Sequence, residues 1–237
     1  MVFKGWQKTS LIEYPGRVAS VLFAGGCNFR CPFCYNRNLV LEPESIADLD
    51  SATVLEFLAA NRRLYQAVVL SGGEPTLQEG LDEFCRRLKA LGLLAGLETN
   101  GSRPDALRRL LDGRLIDYVG MDLKAPLRWE AYSRAAGLKA AQRGLLDRIR
   151  ESLQLLLGSG VDYELRCTAV PGLHSAQDLL AVAEAARGAR RFALQAFVPR
   201  DTLDPSFRSA GAYPAATLDA VAARVRGWFE RFELRAR

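Results

Sequence analysis

Short apolar segments alternate with amphipathic ones along most of the chain, and this alternation restricts the fold more than any other feature. The apolar segments have the length of β-strands and lie at 17–26, 67–75, 93–101, 115–124, 161–170 and 190–198. Alternation of strands and helices predicts a parallel α/β sheet with right-handed crossovers. A complete eight-unit barrel needs about 250 residues. Six units within 237 residues therefore predict either an incomplete, laterally open barrel or a doubly wound sheet.

The segments between the strands carry apolar residues at helical spacing. Helices are predicted at 50–64, 77–91, 104–112, 145–156, from Ser175 onward and from Leu218 to Phe232. Segment 125–141 has no regular period, and its Trp129 and Tyr132 either contact a partner or pack beneath a loop. We expect one domain over 1–237, with a core at about 17–200 and a C-terminal extension and helix at 201–237.

Polar residues gather where the predicted strands end, although strands buried on both faces are normally apolar. They are Ser71, Gly72, Gly73, Glu74, Glu98, Thr99, Asn100, Asp122, Lys124, Arg166, Thr168 and Gln195. The carboxyl ends of parallel strands share one rim, where α/β enzymes have their active sites. Buried charges are costly unless they are paired or bind a ligand. The rim is therefore either an ion-pair network, such as Asp122 with Arg166, or a binding site.

Three of the five cysteines follow the first strand with the spacing C-x3-C-x2-C, at Cys27, Cys31 and Cys34. A structural zinc site normally takes four ligands, but Cys85 and Cys167 lie on apolar faces and resemble small core residues. His174, the only histidine, is typical of a surface or capping residue in a loop. An iron–sulfur cluster explains the spacing better, because three thiolates leave one iron open to a further ligand.

The composition favours a protein of a reducing compartment. An odd number of cysteines, three of them crowded together, argues for free thiols rather than disulfides. The net charge is +5, but the arginines are spread over helix faces, so we expect no nucleic-acid partner. No apolar run approaches the roughly 20 residues of a membrane span, and the N-terminus lacks the order of a signal peptide. We expect a cytoplasmic protein with no membrane partner.

Two motifs resemble those of the radical S-adenosylmethionine (SAM) enzymes. C-x3-C-x-aromatic-C, here Cys27, Cys31, Phe33 and Cys34, is similar to their signature, and "SGGEP" after the second strand matches their second motif. The resemblance implies a partial (β/α)6 barrel, open laterally, and a [4Fe–4S] cluster on the three cysteines, with SAM on the fourth iron. It also implies an oxidoreductase that cleaves SAM reductively to methionine and a 5′-deoxyadenosyl radical.

The resemblance further implies roles for the residues at the strand ends. Gly72 and Gly73 would offer backbone groups to the SAM amino group, and Glu74 would accept a hydrogen bond or hold the turn. Lys124 and Arg166 would face the SAM carboxylate. The other candidate cofactor-binding residues would surround the ribose and adenine: Phe33, Tyr35, Glu98, Thr99, Asp122, Thr168 and Gln195. In activating enzymes similar to this chain, the equivalents of Glu98, Thr99 and Asp122 also hold a monovalent cation.

Within that superfamily, the chain most resembles the activating enzymes of glycyl-radical enzymes. "GWQKTSLIEYPG", "CYN", "ETNG", "MDLKAP" and "VPG" are similar to their motifs, above all to those of the activating protein of anaerobic ribonucleoside-triphosphate reductase. This resemblance implies a glycyl-radical enzyme as partner and a flavodoxin- or ferredoxin-like electron donor. Tyr35 stands where many relatives have histidine. Some relatives also have a histidine in the sixth strand, where this chain has only residues 195–198 and no histidine. No cysteine occurs in 35–70, which favours the compact subtype without additional clusters.

Two other functions remain open. A radical SAM enzyme acting on a small molecule, similar to a 7-carboxy-7-deazaguanine synthase, would have an added substrate pocket beneath the cluster. A zinc-stabilised binding module without catalysis would be colourless after reconstitution, whereas an iron–sulfur protein would be brown.

Overall fold

An eight-stranded sheet and a pair of short strands form the framework of the computed structural model, which describes residues 1–235. The strands are β1 Val2–Phe3, β2 Gly5–Ser10, β3 Ala19–Ala24, β4 Leu49–Asp50, β5 Ala67–Gly72, β6 Leu94–Thr99, β7 Tyr118–Asp122, β8 Asp162–Ala169, β9 Arg191–Ala196 and β10 Arg231–Arg235. Strands β1 and β4 pair with each other. The large sheet has the order β10-β9-β8-β7-β6-β5-β3-β2, in which β2 runs antiparallel to β3 and the other described neighbours are parallel.

All six predicted strands are present, and they stand side by side in chain order from β3 to β9. The structure therefore confirms the predicted α/β fold with a mostly parallel sheet, consistent with a partial barrel. Because the six strands run in the same direction, their carboxyl ends meet at one rim.

The helices lie between successive strands along the chain. They are α1 Arg37–Leu41, α2 Ser51–Ala60, α3 Leu81–Ala90, α4 Pro104–Asp112, α5 Trp129–Ala136, α6 Leu145–Leu157, α7 Ala176–Ala185 and α8 Ala215–Val225. Their apolar residues join Leu70, Leu97 and Leu165 of the strands in one large core. Pro104 opens α4, and Ser175 forms with Asp178 the predicted capping box of α7. None of the helices described within residues 1–235 has the length and apolarity needed to cross a membrane.

A second, smaller apolar cluster lies on the opposite face of the sheet, towards the amino ends of the strands. Tyr14, from the connection between β2 and β3, packs there with Val21, Val69 and Tyr118. The ring centroids of Tyr14 and Tyr118 are 5.3 Å apart. A Cβ atom on Gly96 would lie only 3.2 Å from the Tyr14 ring. We call this group the Tyr14 cluster, and it fills the inner face of the sheet at its amino end.

The structure differs from the prediction near the C-terminus. The predicted helix from Leu218 to Phe232 ends at Val225, and a 3-10 turn over 226–228 leads into β10. Phe232 and Leu234 alternate with charged residues along β10, and this period of two is that of a strand. The helix prediction was therefore wrong beyond Val225.

Segment 125–141 also contains structure that its sequence concealed. Helix α5 occupies residues 129–136, and its buried face is formed largely by the small side chains Ala131, Ala135 and Ala136. Alanines give a weak apolar periodicity, so the helix was not predicted. Tyr132 is completely buried, and Trp129 is half-buried.

Candidate active site

A cavity of about 230 Å³ opens at the carboxyl rim of the sheet. It is lined by all but two of the predicted site residues: Cys27, Cys31, Phe33, Cys34, Tyr35, Gly72, Gly73, Glu74, Glu98, Thr99, Asp122, Lys124 and Thr168. The exceptions are Arg166 and Gln195, which are not among the lining residues. Gln195 lies opposite Thr168 in the β8–β9 register, and its Oε1 is buried without a hydrogen-bond partner among the described residues.

The cysteine loop, residues 25–36, follows β3 and forms one wall of the cavity. Cys31 is buried, whereas Cys27 and Cys34 are half-buried. Burial raises the pKa of the Cys27 thiol to about 11 and that of Cys31 to about 12, and it also raises the pKa of Cys34. The Phe29 N–H lies 3.4 Å from the Cys27 sulfur. A metal that binds these thiols would have to displace the protons that burial favours.

Three thiols in one cavity are ligands of the kind that an iron–sulfur cluster requires. Within residues 1–235, no three histidine, cysteine, aspartate or glutamate side chains surround a point where one ion could bind. The thiols instead line a cavity whose other walls carry carboxylate, amine and hydroxyl groups. A [4Fe–4S] cluster distributes its ligands over several irons, and three thiolates leave one iron free for a further ligand.

Close contact between two glycine backbones holds the cysteine loop against the end of β5. The Gly73 N–H donates to the Ala24 carbonyl, and the Glu74 N–H donates to the Gly26 carbonyl, both at 2.9 Å. A Cβ atom on Gly73 would overlap the Gly26 carbonyl, and Gly72 has a φ of +115°, which other residues rarely adopt. Both glycines of "SGGEP" are therefore needed to seat the loop that carries the cysteines.

Glu74 is almost completely buried and fixes the turn after β5. Its carboxylate accepts hydrogen bonds from the Thr99 hydroxyl at 2.8 Å, the Asn100 N–H at 2.7 Å and the Thr76 N–H at 3.1 Å. Burial raises the pKa of Glu74, and these donors oppose that effect. Glu74 therefore accepts hydrogen bonds and also holds the turn, because its oxygens join the turn to the end of β6.

Four residues of alternating charge cross the rim from β6 to β8. Arg166 contacts the carboxylates of Glu98 and Asp122, with its Nε 3.1 Å from Oδ1 of Asp122. Lys124 extends this row, with its Nζ 2.7 Å from Oδ2 of Asp122. Burial alone would lower the pKa of Lys124, but Asp122 and Cys31 outweigh burial and raise it. The predicted ion pair of Asp122 with Arg166 is thus present, and Glu98, Asp122 and Lys124 also face the cavity.

Burial affects two members of this row, Arg166 and Glu98, in different ways. Burial lowers the pKa of Arg166 to about 10, so its guanidinium remains charged at neutral pH. The Oε1 atom of Glu98 is buried and has no hydrogen-bond partner within residues 1–235. A Cβ atom on Gly120, between them, would lie 2.6 Å from that oxygen, so glycine there leaves room for both side chains.

Aromatic side chains link the cysteine loop to the end of β9. The Tyr35 hydroxyl donates to the Val198 carbonyl at 2.6 Å and accepts from the Val198 N–H at 3.0 Å. The Tyr35 ring stacks on Phe197 with centroids 5.8 Å apart, and Phe33 meets Phe197 edge-on at 6.4 Å. Tyr35 and the end of the sixth predicted strand, the two expected departures from similar enzymes, therefore contact each other.

The chain beyond β9 supports the same loop. The backbone N–H groups of Leu203 and Asp204 donate to the carbonyls of Cys34 and Pro32, both at 2.9 Å. The cysteine loop is consequently held from the β5 turn on one side and from residues 198–204 on the other.

Several lining residues received no role from the sequence: Phe29, Asn36, Val40, Ser71 and Asn100. The Asn100 amide donates to Oδ1 of Asn28 at 3.0 Å and lies 3.8 Å from the Cys27 sulfur. The Asn36 amide donates to the Gly72 carbonyl at 2.8 Å. Both asparagines stand in motifs named above, "ETNG" and "CYN". Their place in these motifs was the only feature of the sequence that could have predicted their position in the cavity wall.

The remaining cysteines and the histidine lie apart from the cavity lining. Cys85 and Cys167 are fully buried in the apolar core, as predicted. His174 is also buried, so of the two expected positions, surface or capping, the structure excludes the surface and agrees with capping of backbone groups. Its Nδ1 accepts from the Val170 N–H at 3.0 Å, so Nε2 carries the proton and donates to the Lys124 carbonyl at 2.8 Å. His174 joins the loop after β8 to the segment after β7, and burial lowers its pKa.

Comparison with known proteins supplies the family. The family model described as the Radical SAM superfamily matches residues 21–186. A Methanocaldococcus jannaschii protein named "Putative glycyl-radical enzyme activating enzyme" is 31% identical over 201 residues, which are 84% of this chain and 81% of that protein. The 7-carboxy-7-deazaguanine synthase of Hyperthermus butylicus is 33% identical over 136 residues, which are 52% of this chain and 55% of that enzyme.

The solved structure of Streptococcus suis SuiB bound to precursor peptide SuiA has a TM-score of 0.68 at 15% identity. The match covers 91% of this chain but only 48% of SuiB, and at this identity it shows the fold alone. A mostly parallel α/β sheet with three thiols at its carboxyl rim agrees with the family model. The chain belongs to the radical SAM superfamily, which implies a [4Fe–4S] cluster and SAM as its cofactors.

Proposed function

We propose that this protein is an activating enzyme that generates a glycyl radical on a partner enzyme of the anaerobic ribonucleoside-triphosphate reductase type. The observation that carries the activating role is the 31% identity to the M. jannaschii protein across 84% of this chain. The reductase type rests on the sequence motifs alone. The chain also has no cysteine in 35–70 that could hold additional clusters.

In this proposal, Cys27, Cys31 and Cys34 hold the cluster and SAM fills the rest of the cavity. When bound, the cluster and SAM would supply a one-electron reductive cleavage that starts the radical chemistry. The protein binds and orients: Lys124 offers positive charge to the SAM carboxylate, and the backbone of Gly72 and Gly73 lines the place for the amino group.

Other residues would bind the nucleoside part of SAM. Phe33, Tyr35 and Thr168 line the cavity and are assigned to adenine and adenosine. Gln195 is assigned to the same part because it is the cross-strand neighbour of Thr168, although it is not among the lining residues. Arg166 would act mainly by orienting Asp122.

The ribose or amino pocket, and a monovalent cation, are assigned to Glu98, Thr99 and Asp122. The buried Oε1 of Glu98 supports this assignment, because it has no partner among the described residues and hard oxygen atoms suit such a cation. The Thr99 hydroxyl already donates to Glu74, so only its acceptor capacity is available.

The proposal also includes a flavodoxin- or ferredoxin-like electron donor and a cytoplasmic location. Free thiols at all five cysteines support a reducing compartment.

The test is anaerobic and uses reconstituted protein, SAM, a reductant and a candidate reductase. We expect a glycyl radical in the electron paramagnetic resonance spectrum, dependent on all components. Cys34→Ala should abolish the signal, and the matched control Cys85→Ala should retain it. Efficient SAM cleavage without any glycyl radical on candidate partners would contradict the activating role.

A second candidate is a small-molecule enzyme similar to 7-carboxy-7-deazaguanine synthase, favoured by the 33% identity to the H. butylicus enzyme over half of the chain. Formation of 7-carboxy-7-deazaguanine from that enzyme's substrate, measured by mass spectrometry, would support this candidate over the first.

A further inference from the structure

We propose that a basic surface beside the cysteine loop docks an acidic protein that delivers single electrons. This surface, the basic face, consists of the exposed side chains of Arg30, Arg134, Lys139 and Arg143. The inference rests on the proposed function, because it requires a reducible cluster on the three cysteines.

The charges of the basic face are not neutralised by neighbours. Within residues 1–235, none of its four side chains forms an ion pair, a property that they share with some exposed arginines elsewhere, among them Arg63, Arg190 and Arg224. Nε of Arg134 donates to a backbone carbonyl at 3.2 Å, and the Arg143 guanidinium lies 5.7 Å from the Trp129 ring centroid. These contacts hold the cations in place and leave their charge available to an anionic partner.

The basic face is joined directly to the cysteine loop. The Arg30 guanidinium donates to the carbonyls of Cys27 and Phe29, and the Arg30 N–H donates to the Ala136 carbonyl at 2.9 Å. A Cβ atom on Gly137, which has a φ of +62°, would overlap the Arg30 carbonyl. The end of α5 therefore lies against the loop as closely as backbone atoms allow.

Packed side chains continue inward from this contact. The rings of Phe29 and Tyr132 meet edge-on with centroids 6.5 Å apart, and the Tyr132 hydroxyl accepts from the Lys124 N–H at 3.4 Å. Phe29 also lines the cavity. The cysteine loop consequently lies between the basic face and the cavity, so a protein docked on this face would leave the cavity free. Segment 125–141 thus buries Tyr132 beneath the loop and exposes basic residues above it.

The reaction and the positive charge of the basic face together indicate which kind of protein docks there. Reductive cleavage of SAM consumes one electron. Because the other cysteines, Cys85 and Cys167, are buried in the apolar core, a second molecule must supply that electron. Four unpaired cations fit a protein whose flavin or iron–sulfur centre is ringed by carboxylates. Such redox encounters are small and transient and depend on electrostatic steering.

The first test measures binding of an acidic flavodoxin by calorimetry, at low and at high ionic strength. The test variant removes three charges of the basic face: Arg134→Gln, Lys139→Gln and Arg143→Gln. The matched control removes three exposed charges that form no ion pair within residues 1–235 and lie elsewhere: Arg63→Gln, Arg190→Gln and Arg224→Gln. We expect the test variant to bind about tenfold more weakly at low ionic strength and to lose most of its salt dependence. The control should bind like the unsubstituted protein.

The second test is the ratio of 5′-deoxyadenosine formed with reduced flavodoxin to that formed with dithionite. This ratio should fall about tenfold in the test variant and remain unchanged in the control. Arg134→Lys with Arg143→Lys retains the charge and should retain both the affinity and the ratio, which guards against a folding defect.

Three outcomes would overturn the inference: equal flavodoxin affinity in the test variant and the control, displacement of flavodoxin by the radical-receiving partner, or displacement by a DNA duplex. Failure of the proposed function is distinguishable, because it removes the glycyl radical from candidate partners while the calorimetry and the 5′-deoxyadenosine ratio still compare the variants.

Discussion

The two ends of the parallel strands carry opposite chemistry on the same inner face of the sheet. At the amino end, the Tyr14 cluster fills the space with apolar and aromatic groups; at the carboxyl end lies the cavity with its thiols and charges. The change from apolar to polar groups occurs within single strands. In β5, Val69 packs in the Tyr14 cluster, whereas Ser71, two residues later and therefore on the same face, lines the cavity.

In β6 and β7, the same face also changes from apolar to charged groups, and in each strand a glycine lies where the change occurs. Gly96 leaves room for Tyr14, because an added Cβ atom would lie 3.2 Å from its ring, and Glu98 follows on the same face. Tyr118 packs in the cluster, and Gly120 leaves room for Glu98 and Arg166. Small residues thus separate a region that stabilises the fold from a region that presents reactive groups. Substitutions at the amino end should therefore change stability alone, and those at the carboxyl end should change cofactor binding.

The largest effect is expected at the cysteines. Cys34→Ala removes one of three thiolates and should abolish reductive SAM cleavage, together with most of the roughly four irons per chain that a [4Fe–4S] cluster contains. Cys85→Ala and Cys167→Ala, in the core, should leave cleavage largely intact. Iron assay and chromatographic detection of 5′-deoxyadenosine measure this, and full cleavage by Cys34→Ala would refute the cluster assignment.

Tyr14→Ala tests the opposite end of the strands. Removal of a buried ring should lower the free energy of unfolding by about 3 kcal/mol, because Val21, Val69 and Tyr118 lose their packing partner. Urea denaturation measures the loss. SAM affinity below the transition should stay within about twofold of the unsubstituted protein, and a large loss of affinity would show that the two regions are coupled.

Gly73→Ala tests the contact that seats the cysteine loop. The added methyl group overlaps the Gly26 carbonyl, and overpacking of this kind costs about 1–3 kcal/mol. The loop should shift and retain less iron after anaerobic reconstitution. Gly160→Ala is the control, since a Cβ atom there has nothing within 4 Å; equal iron retention by the two variants would remove the proposed constraint.

Lys124→Ala should have the smallest of these effects. Loss of one positive charge from the cavity wall should weaken SAM binding about tenfold, or about 1.4 kcal/mol, without changing the iron content. Because Asp122 and the thiols raise the pKa of Lys124 despite its burial, its contribution should not vary between about pH 6 and 9. Equilibrium dialysis with labelled SAM measures the affinity, and an unchanged value would exclude Lys124 from the binding site.

The sequence predicted the six central strands because each is an apolar run that ends in polar or glycine residues. It did not predict β10, since Trp228 and Phe232 satisfy helical spacing and only contact with β9 selects the strand. Helix α5 was missed because its buried face is largely alanine. These errors arise where local patterns are compatible with two structures and tertiary pairing decides between them.

The candidate site was predicted more completely than its internal contacts. Strand ends and motifs located the lining residues, but they could not show that Glu74 is committed to the Thr99 hydroxyl and the Asn100 N–H. Nor could the strand ends and motifs show that Arg166 and Gln195 are not among the lining residues, or that His174 is buried and bonds to the Lys124 carbonyl. Such facts depend on which side chains meet across different strands, and spacing along one chain does not contain them.

The hydrogen bonds between Tyr35 and Val198 join residues 163 positions apart, and this separation has a consequence for biogenesis. Contacts between distant residues carry a large loop-closure entropy and slow folding. The loop that carries the cysteines therefore takes its final shape only after β9 has joined the sheet. Insertion of iron and sulfide is accordingly expected after synthesis, on a nearly complete and folded chain, rather than on the nascent N-terminal third that contains the cysteines.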